Sequence, residues 1–111
     1  MSEELVESGP ELTIKQKKIL KGLAHPLTPV VKIGKEGITK GVLETVQNEL
    51  LYRELIKVKI GSNSEVGKTD AALLIPQKTG SSLVQLIGKT IILYKANLKK
   101  QRDKRIVLPK S

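Results

Sequence analysis

The sequence contains no cysteine, phenylalanine or tryptophan, and only 2% of its 111 residues are aromatic. The absence of cysteine excludes a disulfide scaffold, a cysteine-ligated zinc finger and a cysteine nucleophile. The shortage of aromatic rings argues against single-strand binders of the RRM or OB type, in which such rings stack on the bases. The core is therefore expected to be aliphatic, built from Leu, Ile and Val.

Long apolar runs and a basic N-terminal segment are also missing. The longest run of apolar residues, AALLI at Ala71–Ile75, is far too short to span a membrane. Residues 1–11 carry four glutamates and no basic residue, which is the opposite of a signal peptide. We therefore expect a soluble, cytoplasmic protein with no membrane partner, and a disordered acidic lead-in over residues 1–11.

Basic residues are in clear excess. Twenty Lys and Arg residues against eleven Asp and Glu give a formal net charge of +9. Residues 97–111 are predicted to form a basic C-terminal tail. A charge of this size favours a polyanionic partner such as nucleic acid. A surface that merely maintains solubility is the alternative, although +9 slightly exceeds the magnitude of about 2–8 that suffices for a small domain.

Hydrophobic periodicity predicts seven elements in a single compact domain over residues 12–96. The predicted helices cover residues 13–24, a segment that starts at or near Thr39, and roughly 66–78. The second helix is predicted to have an apolar stripe formed by Val42, Leu43, Val46 and Leu50. The predicted strands are Val30–Ile33, Leu55–Ile60, Leu83–Ile87 and Thr90–Lys95. The order helix-strand-helix-strand-helix-strand-strand predicts an α/β fold with a four-stranded mixed sheet, three helices and an antiparallel hairpin at one edge.

Three local details refine this prediction. The pair Gly88-Lys89 between the last two strands suits a type II′ turn, which takes glycine at its first central position. Ile19, Leu20 and Leu23 are predicted to share the apolar face of the first helix. Pro76 removes a backbone donor inside the third helix, so that helix is expected to kink or to end early.

The stretch GSNSEVGKT, residues 61–69, resembles a phosphate-binding P-loop between a strand and a helix. Five residues separate Gly61 from Gly67, whereas the P-loop pattern requires four. No apolar strand ends in an aspartate that could hold a magnesium ion. A nucleotide hydrolase that uses Gly67, Lys68 and Thr69 is therefore a disfavoured alternative, and a Gly/Ser turn into a helix is preferred.

The sequence offers no other enzymatic constellation. His25 is the single histidine and has no evident Ser, Asp or metal-ligand partner. Its position at the end of the first helix suits an interaction with the last carbonyls of that helix. We therefore expect a protein that is not an enzyme and has no catalytic residue, metal, cofactor or small-molecule substrate.

The segment GKEG, Gly34–Gly37, lies between a predicted strand and a predicted helix. Glycines at such a place permit positive φ and close approach of another backbone. The start of the next helix offers free N–H groups and a partial positive charge, which together suit phosphate. KH domains use a GxxG loop in this way to clamp backbone nucleotides. A plain tight turn is the alternative reading of the pattern.

Basic residues around this loop favour the phosphate interpretation. Lys35 lies inside the loop and Lys40 just after it, and Glu36 is a counter-argument because a carboxylate repels phosphate. Its side chain is expected to point away from RNA. The predicted RNA-binding residues are Gly34, Lys35, Glu36, Gly37, Lys40, Lys17, Lys18 and Lys21. The strand lysines Lys57 and Lys59 are weaker candidates, since the polar face of a strand is often only solvated.

Several motifs in order resemble a known family. KGLAHPL, GKEGIT, ELIKVKI and VQLIGKTIILYK are similar to the CRM domain (chloroplast RNA splicing and ribosome maturation) in its single-domain bacterial form, the YhbY type. The likeness covers residues 12–95, and KRIVLP is similar to the C-terminal end of that family. The acidic residues at the start and Pro76 depart from the pattern.

The resemblance implies a fold like the C-terminal domain of translation initiation factor three, with an added N-terminal helix. It also implies RNA binding through the GxxG loop, here Gly34–Gly37, and association with ribosomal RNA in precursors of the large ribosomal subunit. We expect a monomer. A protein-binding adaptor whose basic surface meets an acidic partner remains the main alternative.

Overall fold

A computed structural model describes residues 9–110 of the chain. Most of the lead-in predicted for residues 1–11 falls outside this described part. The structure contains three helices, four strands and a short 3-10 turn at Arg102–Lys104. The elements in chain order are α1 (Ile14–Ala24), β1 (Val31–Ile33), α2 (Lys40–Arg53), β2 (Leu55–Ile60), α3 (Lys68–Thr79), β3 (Ser82–Ile87) and β4 (Thr90–Tyr94).

The four strands form one sheet in the order β1-β2-β4-β3. Strand β1 pairs in parallel with β2, and the other two pairings are antiparallel. Between β3 and β4 the two-residue turn places Gly88 at a φ of 56°, and Lys89 does not have a positive φ, as a type II′ turn requires. The predicted α/β fold with its mixed sheet and terminal hairpin is confirmed.

Alternating side chains build an apolar core on each face of the sheet. On one face, α2 packs on β1 and β2 while α3 packs on β3 and β4. Helix α2 contributes Val46 and Leu50 to this core, in agreement with its predicted stripe. On the other face, Leu20 and Ala24 of α1 pack against a smaller cluster that includes Tyr94. Helix α1 covers only part of this second face, and exposed polar side chains lie beside it.

The structure refines two sequence predictions about the helices. The apolar face of α1 is only partly buried, because Ile19 is 36% exposed and Leu23 is 48% exposed. Helix α3 runs through Pro76 to Thr79, so it does not end early, and a kink at Pro76 remains a prediction. Since Pro76 is buried, tertiary packing outweighs the loss of its backbone donor.

The residues after β4 fold back onto the domain. Glu54 ends α2 with a left-handed φ of 67°, and its side chain is buried. Its carboxylate accepts hydrogen bonds from the backbone amides of Asn97 and Ile106, at 2.7 and 2.8 Å. Ile106 and Leu108 then pack against the cluster beneath α1. A buried carboxylate therefore holds the segment that was predicted to be a separate tail.

One edge strand of the sheet is short, and the other is covered at its start. Edge strand β1 has only three residues, and a single residue separates it from Pro29. At the other edge, the amide of Gly9 donates to the carbonyl of Ser81 at 2.7 Å, and Ser82 Oγ donates to the carbonyl of Pro10 at 2.6 Å. The chain that precedes α1 therefore lies along the start of β3.

Candidate nucleic-acid interface

The GKEG segment forms a tight turn that leads directly into α2. The amide of Gly37 donates to the carbonyl of Gly34 at 3.1 Å, which closes a four-residue turn after β1. Thr39 then caps α2, because its Oγ1 accepts a hydrogen bond from the amide of Val42. The side chains of Lys35 and Lys40 are exposed on either side of this cap. The structure thus brings together the predicted loop, the start of α2 and the two flanking lysines.

The two glycines of the turn have different structural roles. Gly37 has a φ of 79°, and a Cβ added there would lie 3.1 Å from Cγ2 of Val66. Glycine is therefore favoured at this position, because any other residue would be strained there. Gly34 has no positive φ, and a Cβ added there would meet nothing within 4 Å. Nothing in the fold demands glycine at position 34, so its bare backbone is free to serve a close approach from outside.

A second glycine-containing loop lies beside the first. Because β1 and β2 are parallel, the loops that follow them leave the sheet at the same edge. The amide of Gly61 donates to the carbonyl of Ile33 at 2.9 Å, and Val66 lies against Gly37. We call residues 34–39 and 61–67 together the loop edge. It joins the starts of α2 and α3 in one place.

The loop that resembles a P-loop does not form a phosphate cradle. Gly67 caps α3 without a side-chain hydrogen bond, and Asp70 lies in the first turn of the helix. A Cβ added to Gly67 would lie 3.3 Å from Oδ2 of Asp70, so this carboxylate sits at the helix start. A negative charge here repels phosphate. The geometry therefore disfavours nucleotide hydrolysis by Gly67, Lys68 and Thr69.

Two exposed lysines lie side by side on the sheet next to the loop edge. Lys32 of β1 is the register partner of Lys59 of β2, and both side chains are exposed on the face that carries α1. Adjacent strands are about 4.7–4.9 Å apart, so the two side chains leave the sheet next to each other and their like charges repel. Within residues 9–110 neither forms a salt bridge. A bound polyanion would reduce the repulsion between these two lysines.

A third lysine on the same face has a structural role. Nζ of Lys57 donates to the carbonyl of Leu27 at 2.9 Å and to that of His25 at 3.3 Å. It therefore satisfies carbonyls at and just beyond the end of α1. The sequence predicted that the side chain of His25 would interact with the last carbonyls of α1. In the structure, Lys57 donates the side-chain hydrogen bonds at this helix end. Lys57 is thus less free than Lys59 to contact a ligand.

The lysines of α1 belong to a helix on the opposite face of the sheet from α2. Lys17 is half-buried beside α3 and the start of β3, near Pro76 and Leu83. In the sheet order, β3 is the edge strand farthest from β1, which precedes the GKEG turn. Lys18 and Lys21 are exposed on the outer side of the helix. The predicted residues therefore separate into a loop group and an α1 group.

Residues 9–110 hold no cluster of three or more His, Cys, Asp or Glu side chains that could bind a metal ion. Burial raises the pKa of Tyr94 above its ordinary value, helped by the nearby Glu54 and opposed by Arg105. Among the described helices, none has the length and apolar character needed to cross a membrane.

Known proteins are similar in sequence to this chain over most of its length. The sequence model of the CRS1/YhbY (CRM) domain matches residues 12–95. The chain belongs to the CRM domain family. The match includes both loops of the loop edge and all four strands.

Two bacterial relatives and one solved structure are similar to this chain over nearly their whole length. "Probable RNA-binding protein YqeI" of Bacillus subtilis is 42% identical over 98 residues, which is 88% of this chain and 99% of that protein. An "RNA-binding protein" of Haemophilus influenzae is 40% identical, over 89% of this chain and 96% of that protein. The solution structure of the hypothetical protein SAV1595 from Staphylococcus aureus superposes with a TM-score of 0.71 at 39% identity, and the match covers 88% of this chain and 99% of that one.

The sequence reasoning missed part of this CRM domain's basic surface. Lys32 and Lys89 were not among the predicted site residues, yet both lie near the loop edge. Lys32 pairs with Lys59, and the carbonyl of Lys89 accepts from the amide of Ile60 at the end of β2. The alternation of Lys32 with buried Val31 and Ile33 could have placed it on the polar face. Its position opposite Lys59 depends on strand register, which the sequence does not specify.

Proposed function

We propose that this CRM protein binds ribosomal RNA through the loop edge and acts in assembly of the large ribosomal subunit. It would work as a monomer in the cytoplasm and without catalysis. The observation that carries the proposal is the pairing of Lys32 with Lys59 beside a turn in which Gly34 could carry a side chain without a steric clash. A cationic surface next to an open backbone is suited to a phosphate chain.

Three features of the loop edge would act together on RNA. The start of α2 lies beside the turn and carries a partial positive charge from its backbone N–H groups. Gly34 would allow the phosphate backbone to approach without a side chain in between. Lys35, Lys40, Lys32 and Lys59 would then supply charge around that contact. Phosphate contacts of this kind give affinity without sequence preference.

The names of the similar proteins support RNA as the ligand. The Bacillus and Haemophilus relatives are both named as RNA-binding proteins. Association with the large subunit rests on the resemblance to the bacterial members of the family. The lysines of α1 would extend the contact across the second face of the sheet, where Lys18 and Lys21 are exposed.

A pair of substitutions at Gly34 tests the loop. Gly34→Asp places a carboxylate where the phosphate would approach, and we expect the affinity for a large-subunit ribosomal RNA transcript to fall about tenfold, the loss of one charge-assisted contact. Gly34→Ala adds only a methyl group and should weaken binding less. Gln47→Glu adds a negative charge at an exposed position in the middle of α2 and serves as the control. Equal affinities for Gly34→Asp and Gln47→Glu would remove the loop from the interface.

A sedimentation experiment tests the assembly role. We expect the protein in cell lysate to sediment with precursors of the large subunit, and Gly34→Asp to reduce that fraction. Nuclease treatment should release it as a free monomer. Retention of a protein partner after nuclease treatment would instead support the adaptor alternative.

A further inference from the structure

An exposed tyrosine lies at the end of the molecule opposite the loop edge. Tyr52, in the last turn of α2, is 72% exposed, and the chain contains only two tyrosines. The guanidinium of Arg53 lies 5.3 Å from the centroid of the Tyr52 ring. Arg53 also pairs with Glu49 at 2.8 Å. The ring is therefore accompanied by a cation and still faces solvent.

The basic segment 97–105 is held beside this tyrosine by hydrogen bonds to the end of α2. Nζ of Lys100 donates to the carbonyl of Tyr52 at 2.9 Å. Nδ2 of Asn97 donates to the carbonyl of Leu51 at 2.8 Å, and the amide of Asn97 donates to the carboxylate of Glu54. The segment is therefore fixed against the last turn of α2, which carries the ring.

This arrangement concentrates positive charge. Within residues 97–105, one aspartate, Asp103, accompanies five basic residues, Lys99, Lys100, Arg102, Lys104 and Arg105. Lys99, Arg102 and Lys104 are exposed. We call Tyr52, Arg53 and residues 97–105 together the tyrosine edge.

Helix stability explains only part of the tyrosine edge. Lys100 satisfies a carbonyl at the end of α2, and cations near a helix C-terminus are favourable there. That role needs one lysine and no aromatic ring. An exposed ring beside several cations matches the way proteins bind unpaired nucleotides, in which a base stacks on an aromatic side chain and lysines or arginines contact the phosphates.

We propose that the tyrosine edge is a second RNA contact that takes a single-stranded segment, with one base stacked on Tyr52. This inference rests on the proposed function, since it assumes that the ligand of the loop edge is RNA. Helix α2 separates the two contacts by its fourteen residues, or about 21 Å. The loop edge would hold phosphates of structured RNA, and the tyrosine edge would hold an adjoining unpaired stretch. Paired bases are already stacked within a duplex, so an unpaired base suits the ring.

A matched pair of variants tests the stack with short oligouridylate as the probe. Tyr52→Leu removes the ring, whereas Tyr52→Phe keeps it. Both preserve the backbone carbonyl that Lys100 contacts, so the tail segment stays in place. We expect the affinity for oligouridylate to fall about tenfold in Tyr52→Leu and to stay within about twofold in Tyr52→Phe.

Intrinsic fluorescence gives a second readout, because the chain has no tryptophan. Stacking should quench the emission of Tyr52 when oligouridylate binds, and this quenching should disappear in both variants. Absence of oligouridylate binding by the native protein, or equal affinities for Tyr52→Leu and the native protein, would overturn the inference.

The Gly34→Asp variant separates the two proposals. If Gly34→Asp weakens binding to the ribosomal transcript while Tyr52→Leu leaves oligouridylate binding intact, the second contact is wrong and the loop edge stands. If Tyr52→Leu weakens oligouridylate binding while Gly34→Asp has no effect on the transcript, the tyrosine edge stands and the loop edge fails.

Discussion

The carboxylate of Glu54 and the backbone amide of Ile106 are joined by a 2.8 Å hydrogen bond across fifty-two residues of sequence. The same carboxylate binds the amide of Asn97, and the carbonyl of Glu54 accepts from the amide of Lys95. One residue at the end of α2 therefore holds the start and the end of the basic segment. Glu54 has a left-handed φ of 67°, which is strained for a residue other than glycine.

Replacing Glu54 with glutamine should loosen the C-terminal segment. A glutamine has one carbonyl oxygen, so it can satisfy one of the two amides while its own N–H group faces the other. We expect the free energy of unfolding to fall by about 2–4 kcal/mol, the cost of a charge-assisted hydrogen bond and an unsatisfied buried group. Urea denaturation measures this loss, and amide exchange should accelerate at Asn97 and Ile106. Glu49→Gln, which breaks a surface ion pair, is the control and should cost about 0–1 kcal/mol.

The two glycines of the GKEG turn should respond differently to alanine. Gly37→Ala forces a left-handed φ on an L-residue and brings its Cβ close to Val66, so we expect a loss of about 1–2 kcal/mol in the free energy of unfolding. Gly34→Ala should leave stability unchanged within about 0.5 kcal/mol. Urea denaturation of the two variants compares them directly. A large loss in Gly34→Ala would mean that the fold does depend on this glycine.

Removing one lysine of the sheet pair should stabilise the free protein and weaken RNA binding at once. Lys32→Gln relieves repulsion with Lys59, which should add about 0.2–0.5 kcal/mol to stability, the scale of exposed charge pairs. The plot of log affinity against log salt should become shallower by about 0.7–0.9, corresponding to one lost phosphate contact. Lys78→Gln, in the last turn of α3, carries the same loss of charge and should leave that slope closer to the native value. Identical slopes for both variants would argue that Lys32 makes no phosphate contact.

Alkaline pH should destabilise the protein partly through Tyr94. Because burial raises its pKa above the ordinary value of 10.0, the folded state favours the neutral phenol. This contribution is fully present below pH 10 and is lost as the pH rises through the raised pKa. The urea midpoint should therefore fall less between pH 8 and pH 11 in Tyr94→Phe than in the native protein. An equal fall in both would assign the alkaline loss to other groups.

Local signals account for the parts of the fold that the sequence predicted well. The GKEG turn, the Thr39 cap and the stripe of α2 lie within a few residues of one another, so spacing and turn chemistry suffice to locate them. The hairpin turn could likewise be predicted from Gly88, because a type II′ turn needs a positive φ at this position. These features also fixed the position of the loop proposed to contact RNA.

Features that depend on distant parts of the chain could not be predicted. Pro76 remains inside α3 because it packs into the core, which outweighs a local rule against proline in helices. The proximity of Lys32 to Lys59 depends on the register of β1 against β2. The link from Glu54 to Ile106 has no local signature, so a segment that reads as a basic tail becomes part of the packed structure.

The two edges of the sheet bear on self-association. An exposed edge strand offers unpaired backbone groups to a second copy of the chain, and short strands, lysines and nearby prolines discourage such pairing. Strand β1 combines all three, with three residues, Lys32 and the preceding Pro29. The start of β3 is occupied by Gly9 and Pro10. Strand β1 and the start of β3 are thus protected against strand addition, which would help to keep this basic protein dispersed on the RNA proposed as its ligand.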